Sequence, residues 1–198
     1  MELDNGLMSP GGRPPTTTAD DWAQAALDEI EDAGVRALTV EAVARRLGVS
    51  KGGAYHHFQD RRDLLRAALA RWERRQVIEL NAHFASIPDP RLRLRSSLEE
   101  AFITLAPTVI VQLMAATDDP DVSEVLERST AARIAMSRRT FVALGATPAD
   151  AEHRAILLYG HYLGFAQLRR HAPSVLSTPR QTRAHVERVE ASLLAGLA

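Results

Sequence analysis

The stretch "LGVSKGGAYHHF", residues 47–58, sets two adjacent glycines, Gly52 and Gly53, where its surroundings call for a helix. Each glycine costs a helix interior about 1 kcal/mol relative to alanine. Ser50 reads as an N-cap, so the glycines fall in the first turn, where that cost matters least. Upstream, Thr39 caps a short stripe of Val40, Val43, Ala44 and Leu47 that Gly48 ends. A short helix, a glycine break and a second short helix make a helix-turn-helix, whose second helix enters the DNA major groove. At about 100° per residue, Lys51, Tyr55, Gly52 and His56 fall within an arc of about 140°. One cation, two rings and bare backbone then share a face, while Ala54 turns to the core and Phe58 closes the helix end. Between Arg36 and Arg62 there are six basic residues against two acidic ones, a net of +4. In a chain of net charge −1, such a basic unit is the footprint of a phosphate-binding surface.

The rest of the chain reads as all-α, with about nine helices. Residues 1–17 form a Gly/Pro-rich flexible arm in which Arg13 is a candidate minor-groove contact. Thr18 caps a first helix, with Asp21 three residues on in the capping-box position, and Gly34 stops it. That helix carries the stripe Trp22, Ala23, Ala26, Leu27 and Ile30. Asp60 begins a fourth helix reaching about Phe84. "IPDPRLRLRSSLEEAFITLA", residues 87–106, starts another near Pro90, and Pro107 is expected to break or kink the chain. Asp119-Pro120 opens a helix ending near Gly145. Thr147-Pro148 opens one reaching about His171, and Thr178-Pro179 opens the last.

Composition narrows the function classes. The 198 residues are 45% hydrophobic and 5% aromatic, so the core rests on Leu, Val, Ile and Ala. No run approaches the roughly 18 apolar residues of a membrane span, and the N-terminus lacks a signal pattern. With no cysteine there is neither a disulfide framework nor thiolate chemistry. A cytoplasmic location is the plain expectation. His153, His161 and His171 stand eight and ten apart, a spacing that does not build a metal site on one helix, and no metal or cofactor is expected. No Ser/His/Asp or nucleotide-loop string occurs, so no catalytic residues are expected and an enzyme built on a helical bundle is a distant alternative.

The segment "LTVEAVARRLGVSKGGAYHHFQDRRDLL", residues 38–65, resembles the DNA-binding segment of the tetracycline-repressor-like (TetR) transcriptional regulators. The clear resemblance covers about residues 18–70. It implies a homodimeric, all-helical regulator in three parts: the arm 1–17, a helix-turn-helix domain 18–64, and a ligand-binding and dimerisation domain 65–198. It implies operator DNA and a small-molecule effector as partners, and dimerisation through the last two helices. By the same resemblance Lys51 and Gly52 meet DNA at the start of the recognition helix. Tyr55 contacts phosphate or a thymine methyl, His56 is a base-reading position, and Thr39, His57 and Arg61 contact phosphate. Ser50, as a cap, sits where backbone N–H groups receive phosphate oxygens. This sequence departs from the family at Ala54, often leucine, and at Gly53, often threonine. Glu41 stands where some members carry a base-reading arginine. His57 also reads as a partly buried polar residue, and Arg45 and Arg46 read equally as a solvated face.

In the second half, Phe102, Leu105, Leu113, Met114 and Phe141 suggest an apolar pocket, with Thr104, Thr108 and Gln112 as its scarce polar groups. In "YGHYLGFAQL", residues 159–168, Gly160 and Gly164 leave a flat strip for a neighbouring helix, expected to be that of another subunit. His161, Tyr162 and Phe165 lie on another side and are candidate pocket residues. Ordinary core packing is the competing reading for each. A repressor released by its ligand is the leading function; a small-molecule-binding activator is the alternative.

Overall fold

The computed structural model describes residues 17–104, 108–175 and 177–197. The arm 1–16, with Arg13, lies outside the described residues, as do Leu105 and Pro107. Among the described residues there are nine helices of six residues or more, a short 3-10 turn at Val35–Ala37, and no strand. They are α1 (Ala19–Ala33), α2 (Val40–Leu47), α3 (Lys51–His56), α4 (61–85), α5 (90–104), α6 (Thr108–Met114), α7 (Pro120–Ala143), α8 (Pro148–His171) and α9 (Pro179–Leu194).

Local chemistry fixes most of the boundaries. Thr18 and Asp21 form a reciprocal capping box at the start of α1, and Thr178 with Gln181 does the same for α9. Thr39, Asp60, Asp89, Asp119 and Thr147 each accept a backbone N–H at the start of α2, α4, α5, α7 and α8. Proline occupies the first helical position of α5, α7, α8 and α9, where a missing N–H is harmless. Gly34 and Gly48 end α1 and α2 at φ of 87° and 69°, values that side chains with a Cβ rarely adopt.

Two features depart from the sequence pattern. Helix α3 has 3-10 geometry, with Gly53 N–H bonded to Ser50 O at 3.0 Å and His57 N–H to Ala54 O at 2.8 Å. Long α4 and α5 each contain a π-helical turn, at Arg74–Glu79 and Glu100–Thr104. Both kinds of turn change the angular spacing of residues, but segments of five or six residues are too short for that change to show in the apolar pattern.

Helices α1 to α3 and the first half of α4 pack around Trp22, Ile30, Leu38, Val43, Leu64 and Leu65, all fully buried. Helix α4 then runs on against α5 and α7, while α7 and α8 form the longest helix pair. The buried cluster continues without a break from Trp22 to Leu193. Hydrogen bonds also tie the two halves together. Buried Gln112 of α6 donates to Glu31 O at the end of α1 (2.9 Å). Asp121, at the start of α7, takes Arg62 at 2.6 Å and Arg66 at 3.2 Å. The Arg62 hydrogen bond, against a burial cost, holds the Asp121 carboxyl below the usual carboxylate range. Gln112, expected as a pocket group, is thus a strut between the N-terminal head and the helices behind it.

Candidate nucleic-acid interface and effector cavity

The head presents one polar surface. Lys51, Gly52, Tyr55 and His56 are all exposed, and Tyr55 keeps 58% of its surface accessible despite its size. Ala54 is buried at 1% and Phe58 at 6%, which anchors α3 from beneath. In 3-10 geometry residues three apart eclipse, so Gly52 and Tyr55 stack on one edge and the α-helical arc does not apply as drawn. The exposed set is the same; only its order around the axis changes.

Thr39 caps α2, and its hydroxyl accepts from Ala42 N–H (3.1 Å). Ser50 stands in the cap position of α3 with extended backbone, but its hydroxyl makes no cap hydrogen bond. Lys51 reaches Glu41 at 3.6 Å, an ion pair in which both partners are more than half exposed. Exposed pairs of this kind are worth about 0–1 kcal/mol, so a phosphate can take Lys51 over with little loss. Arg46 is held by Glu29 and Asp32, whereas Arg45 is exposed.

Two expected phosphate contacts are engaged elsewhere. His57 Nε2 lies 3.0 Å from Thr17 O and so ties α3 to the chain entering α1. Arg61 donates from Nε to Leu38 O and from one Nη to Val35 O, both at 2.7 Å. These carbonyls belong to the α1–α2 connection, so the half-buried guanidinium staples α4 to it. Arg61→Ala is therefore expected to lower unfolding free energy by about 1.5–3 kcal/mol, the usual worth of hydrogen bonds to a charged group. Urea unfolding measures it. Unchanged stability combined with lost DNA binding would return Arg61 to the phosphate-contact role.

The two glycines separate in space. A Cβ at Gly52 would meet only Ser50 Oγ, at 3.7 Å, whereas one at Gly53 would rest 3.5 Å from Trp22 Cζ2. Gly52→Val is expected to fold normally and lose DNA affinity, because the added methyl groups stand on the exposed edge. Gly53→Ala is expected to be neutral or to stabilise by about 0.4–1 kcal/mol through a less flexible unfolded chain. Melting curves and gel shifts on the two variants check this, and the reverse order would contradict it.

Behind the head, a cavity of about 80 Å³ lies among α4, α5, α7 and α8. Its apolar wall includes Leu80, Phe84, Met136 and Leu158, and its polar groups include Gln76, Arg133 and Tyr159. An outer cleft of about 530 Å³, bordered by charged residues such as Asp28, Arg71 and Arg75, shares Gln76, Leu80, Glu100 and Tyr162 with it. Both π turns contribute to these walls, Gln76 from α4 and Glu100 with Ala101 from α5. Such turns are frequent at functional sites.

Of the residues expected in a pocket, Tyr162 lines both spaces. Leu113 and Phe141 are fully buried in the core and line neither, and half-buried Met114 packs against that core. Their apolar side chains are consumed by helix–helix contacts. Phe102, His161 and Phe165 come together as a ring cluster, with Phe102 at 5.1 Å from His161 and 5.0 Å from Phe165. This cluster also lies outside the two spaces; Phe102 instead borders a separate cleft with Arg169 and Thr182. Arg133, Tyr159 and Gln76 were not expected. Arg133 sits in "AARIAM", residues 131–136, and a lone arginine among apolar residues is the signal that could have revealed it.

His161 Nε2 meets His185 Nε2 at 3.1 Å across α8 and α9. Burial first, and the neighbouring His185 second, hold its pKa below the ordinary 6.5. The folded state therefore binds fewer protons than the unfolded one once the pH falls below about 6.5. This contribution is intact above that value and is lost as the pH drops toward the depressed pKa. The urea midpoint is expected to fall between pH 7.5 and 5.5, and His161→Asn to flatten the difference. An equally steep loss in the variant would assign it to other groups.

Comparison with known proteins places this geometry. Residues 24–68 match the family described as bacterial regulatory proteins, tetR family. The HTH-type transcriptional regulator BetI of Yersinia pestis (strain Pestoides F) is 32% identical over 81 residues, covering 40% of this chain and 41% of that protein. The chain thus matches about two-fifths of the length of its curated relatives. Two solved structures show how far the fold extends. A transcriptional regulator from Rhodococcus sp. Rha1 superposes with a TM-score of 0.76 at 22% identity, covering 91% of this chain and 98% of the other. FadR from Bacillus subtilis, solved in complex with stearoyl-CoA, gives 0.67 at 14% identity, covering 91% and 100%. Residues 24–68 thus match the tetR family model, and the chain as a whole shares the fold of the Rhodococcus regulator.

Proposed function

We propose that this chain is a ligand-responsive DNA-binding repressor, dimeric and cytoplasmic, without enzymatic activity of its own. One observation carries the reading. Helix α4 begins in the head that exposes Lys51, Gly52, Tyr55 and His56 and ends in the wall of the cavity. Occupation of the cavity therefore acts on the element that sets the position of the reading surface. The acyl-CoA complex of the FadR neighbour supports a ligand site within this fold.

Dimerisation is supported by the outer face of α8. Ile156, Leu157 and Leu168 are exposed at 50%, 67% and 46%, and a Cβ on Gly160 or Gly164 would meet nothing within 4 Å. Two glycines four apart amid exposed apolar residues let a second helix approach closely. A two-fold dimer places two α3 helices in successive major grooves of a palindromic site, about 34 Å apart. The effector releases DNA only by its preference for the non-binding state; a change from 1:99 to 99:1 requires about 5.5 kcal/mol of differential binding. No helix among the described residues is long and apolar enough to cross a membrane.

The experiment is a gel shift with the promoter DNA beside the chain's own coding region, with and without candidate metabolites. A shifted band that weakens steeply with salt and dissolves with a ligand is expected. A chain that binds no DNA at low salt sinks the proposal. Binding that raises transcription in vitro selects the activator instead.

A further inference from the structure

Arg133 of α7 is the unusual group in the cavity wall. It donates from one Nη to Gln76 O (2.9 Å), and its guanidinium lies 5.1 Å from the Tyr162 ring centre and 5.9 Å from that of Trp72. Its Nε is buried and has no hydrogen-bond partner. The ion pairs among the described residues do not include it. Glu100 also lines the cavity, on the part of the wall shared with the outer cleft, and forms no ion pair with Arg133 among the described residues. The other buried polar side-chain atom without a partner among the described residues, Ser129 Oγ, does not line the cavity. Arg133 is half-buried and in no ion pair among the described residues, and a buried donor left without a partner, as its Nε is, costs free energy. Two aromatic faces offset part of it. A carboxylate would offset the rest, because guanidinium and carboxylate match in geometry and charge.

We infer that this cavity, together with the outer cleft it joins at Gln76, Leu80, Glu100 and Tyr162, takes an amphipathic organic acid, with its carboxylate on Arg133 and its apolar body against the apolar wall that includes Leu80, Phe84, Met136 and Leu158. This deepens the reading of the cavity as the effector site and rests on it. The same arginine couples the ligand to α4. Among the described residues its hydrogen bond goes to the carbonyl of Gln76, inside the π turn Arg74–Glu79. A carboxylate that draws the guanidinium toward itself competes for that bond. It thereby acts on the middle of the helix whose first turns carry Arg61 and Arg62 of the head.

The test is calorimetric titration of the full-length protein, without DNA, with octanoate and phenylacetate, each beside its neutral amide. At least one acid is expected to bind about tenfold or more tightly than its amide, the scale of one charge-assisted hydrogen bond. Arg133→Met is expected to bring that ratio close to one, and Arg133→Lys to leave it in between. Circular dichroism of each variant reports folding. If Arg133→Met fails to fold, the acid-to-amide ratio of the parent and of Arg133→Lys decides. Equal binding of acid and amide, binding of neither acid, or a ratio unchanged in a folded Arg133→Met protein would each overturn the inference. An acid that binds through Arg133 but leaves the DNA complex intact would support this assignment and count against the repressor reading. Release of DNA by a ligand lacking an acid would do the reverse.

Discussion

Lys51→Ala and Tyr55→Ala should each weaken operator binding by about tenfold or more while leaving the melting temperature unchanged. Both side chains are exposed and contribute little to the core, so their loss falls on the interface. The two changes should differ in character. If Lys51 neutralises one phosphate, its removal reduces the slope of log K against log salt by about 0.9. Tyr55 carries no charge, so its removal should lower affinity at every salt concentration with nearly the same slope. Gel shifts at 50 to 200 mM salt separate these outcomes. Parent-like affinity in both variants would remove α3 from the DNA interface.

Trp22→Ala should destabilise the chain by about 3–5 kcal/mol, the range for deleting a large buried aromatic side chain. Trp22 is fully buried, donates from Nε1 to Thr17 Oγ1 at 3.2 Å, and lies directly under Gly53 of α3. Its removal leaves a cavity beneath α3 and releases the residue whose carbonyl meets His57. DNA binding should fail along with stability, unlike in the surface variants. Urea unfolding followed by circular dichroism measures the change, and a loss under about 1 kcal/mol would show that the head does not depend on this core. Trp22→Phe should recover much of the difference.

Most of the helix boundaries could be read from the chain because they rest on local chemistry. Thr18 with Asp21, Thr39, Asp119-Pro120 and Thr147-Pro148 satisfy orphaned N–H groups within a few residues of themselves, so no tertiary partner is needed to define them. The exposure of Lys51, Gly52, Tyr55 and His56 was legible for the same reason, since a short helix that buries Ala54 turns these positions outward. Ser50 was legible as a cap by position, but its hydroxyl makes no such bond. Arg61 and His57 were less legible. Each is a plausible phosphate contact by position, yet their polar atoms meet carbonyls 23 to 40 residues away in sequence.

The cavity was the least legible part. Leu113 and Phe141 have the same apolar character as Leu80 and Leu158, and only the packing of α4, α5, α7 and α8 separates core from lining. Both π turns were likewise invisible, because inserting one residue into a turn leaves composition and capping signals untouched.

The sequence by itself determined most of the helix boundaries, most of their caps and which residues of α3 stand exposed. These depend on interactions within one or two turns, and short-range geometry is written directly in residue order. Tertiary structure alone decided that Gln112 braces α1, that Arg61 staples α4, and that Arg133 stands beside a cavity with an unfilled hydrogen bond. Those outcomes depend on which side chain reaches a donor or acceptor on another helix first. That competition is settled by packing in three dimensions, not by spacing along the chain.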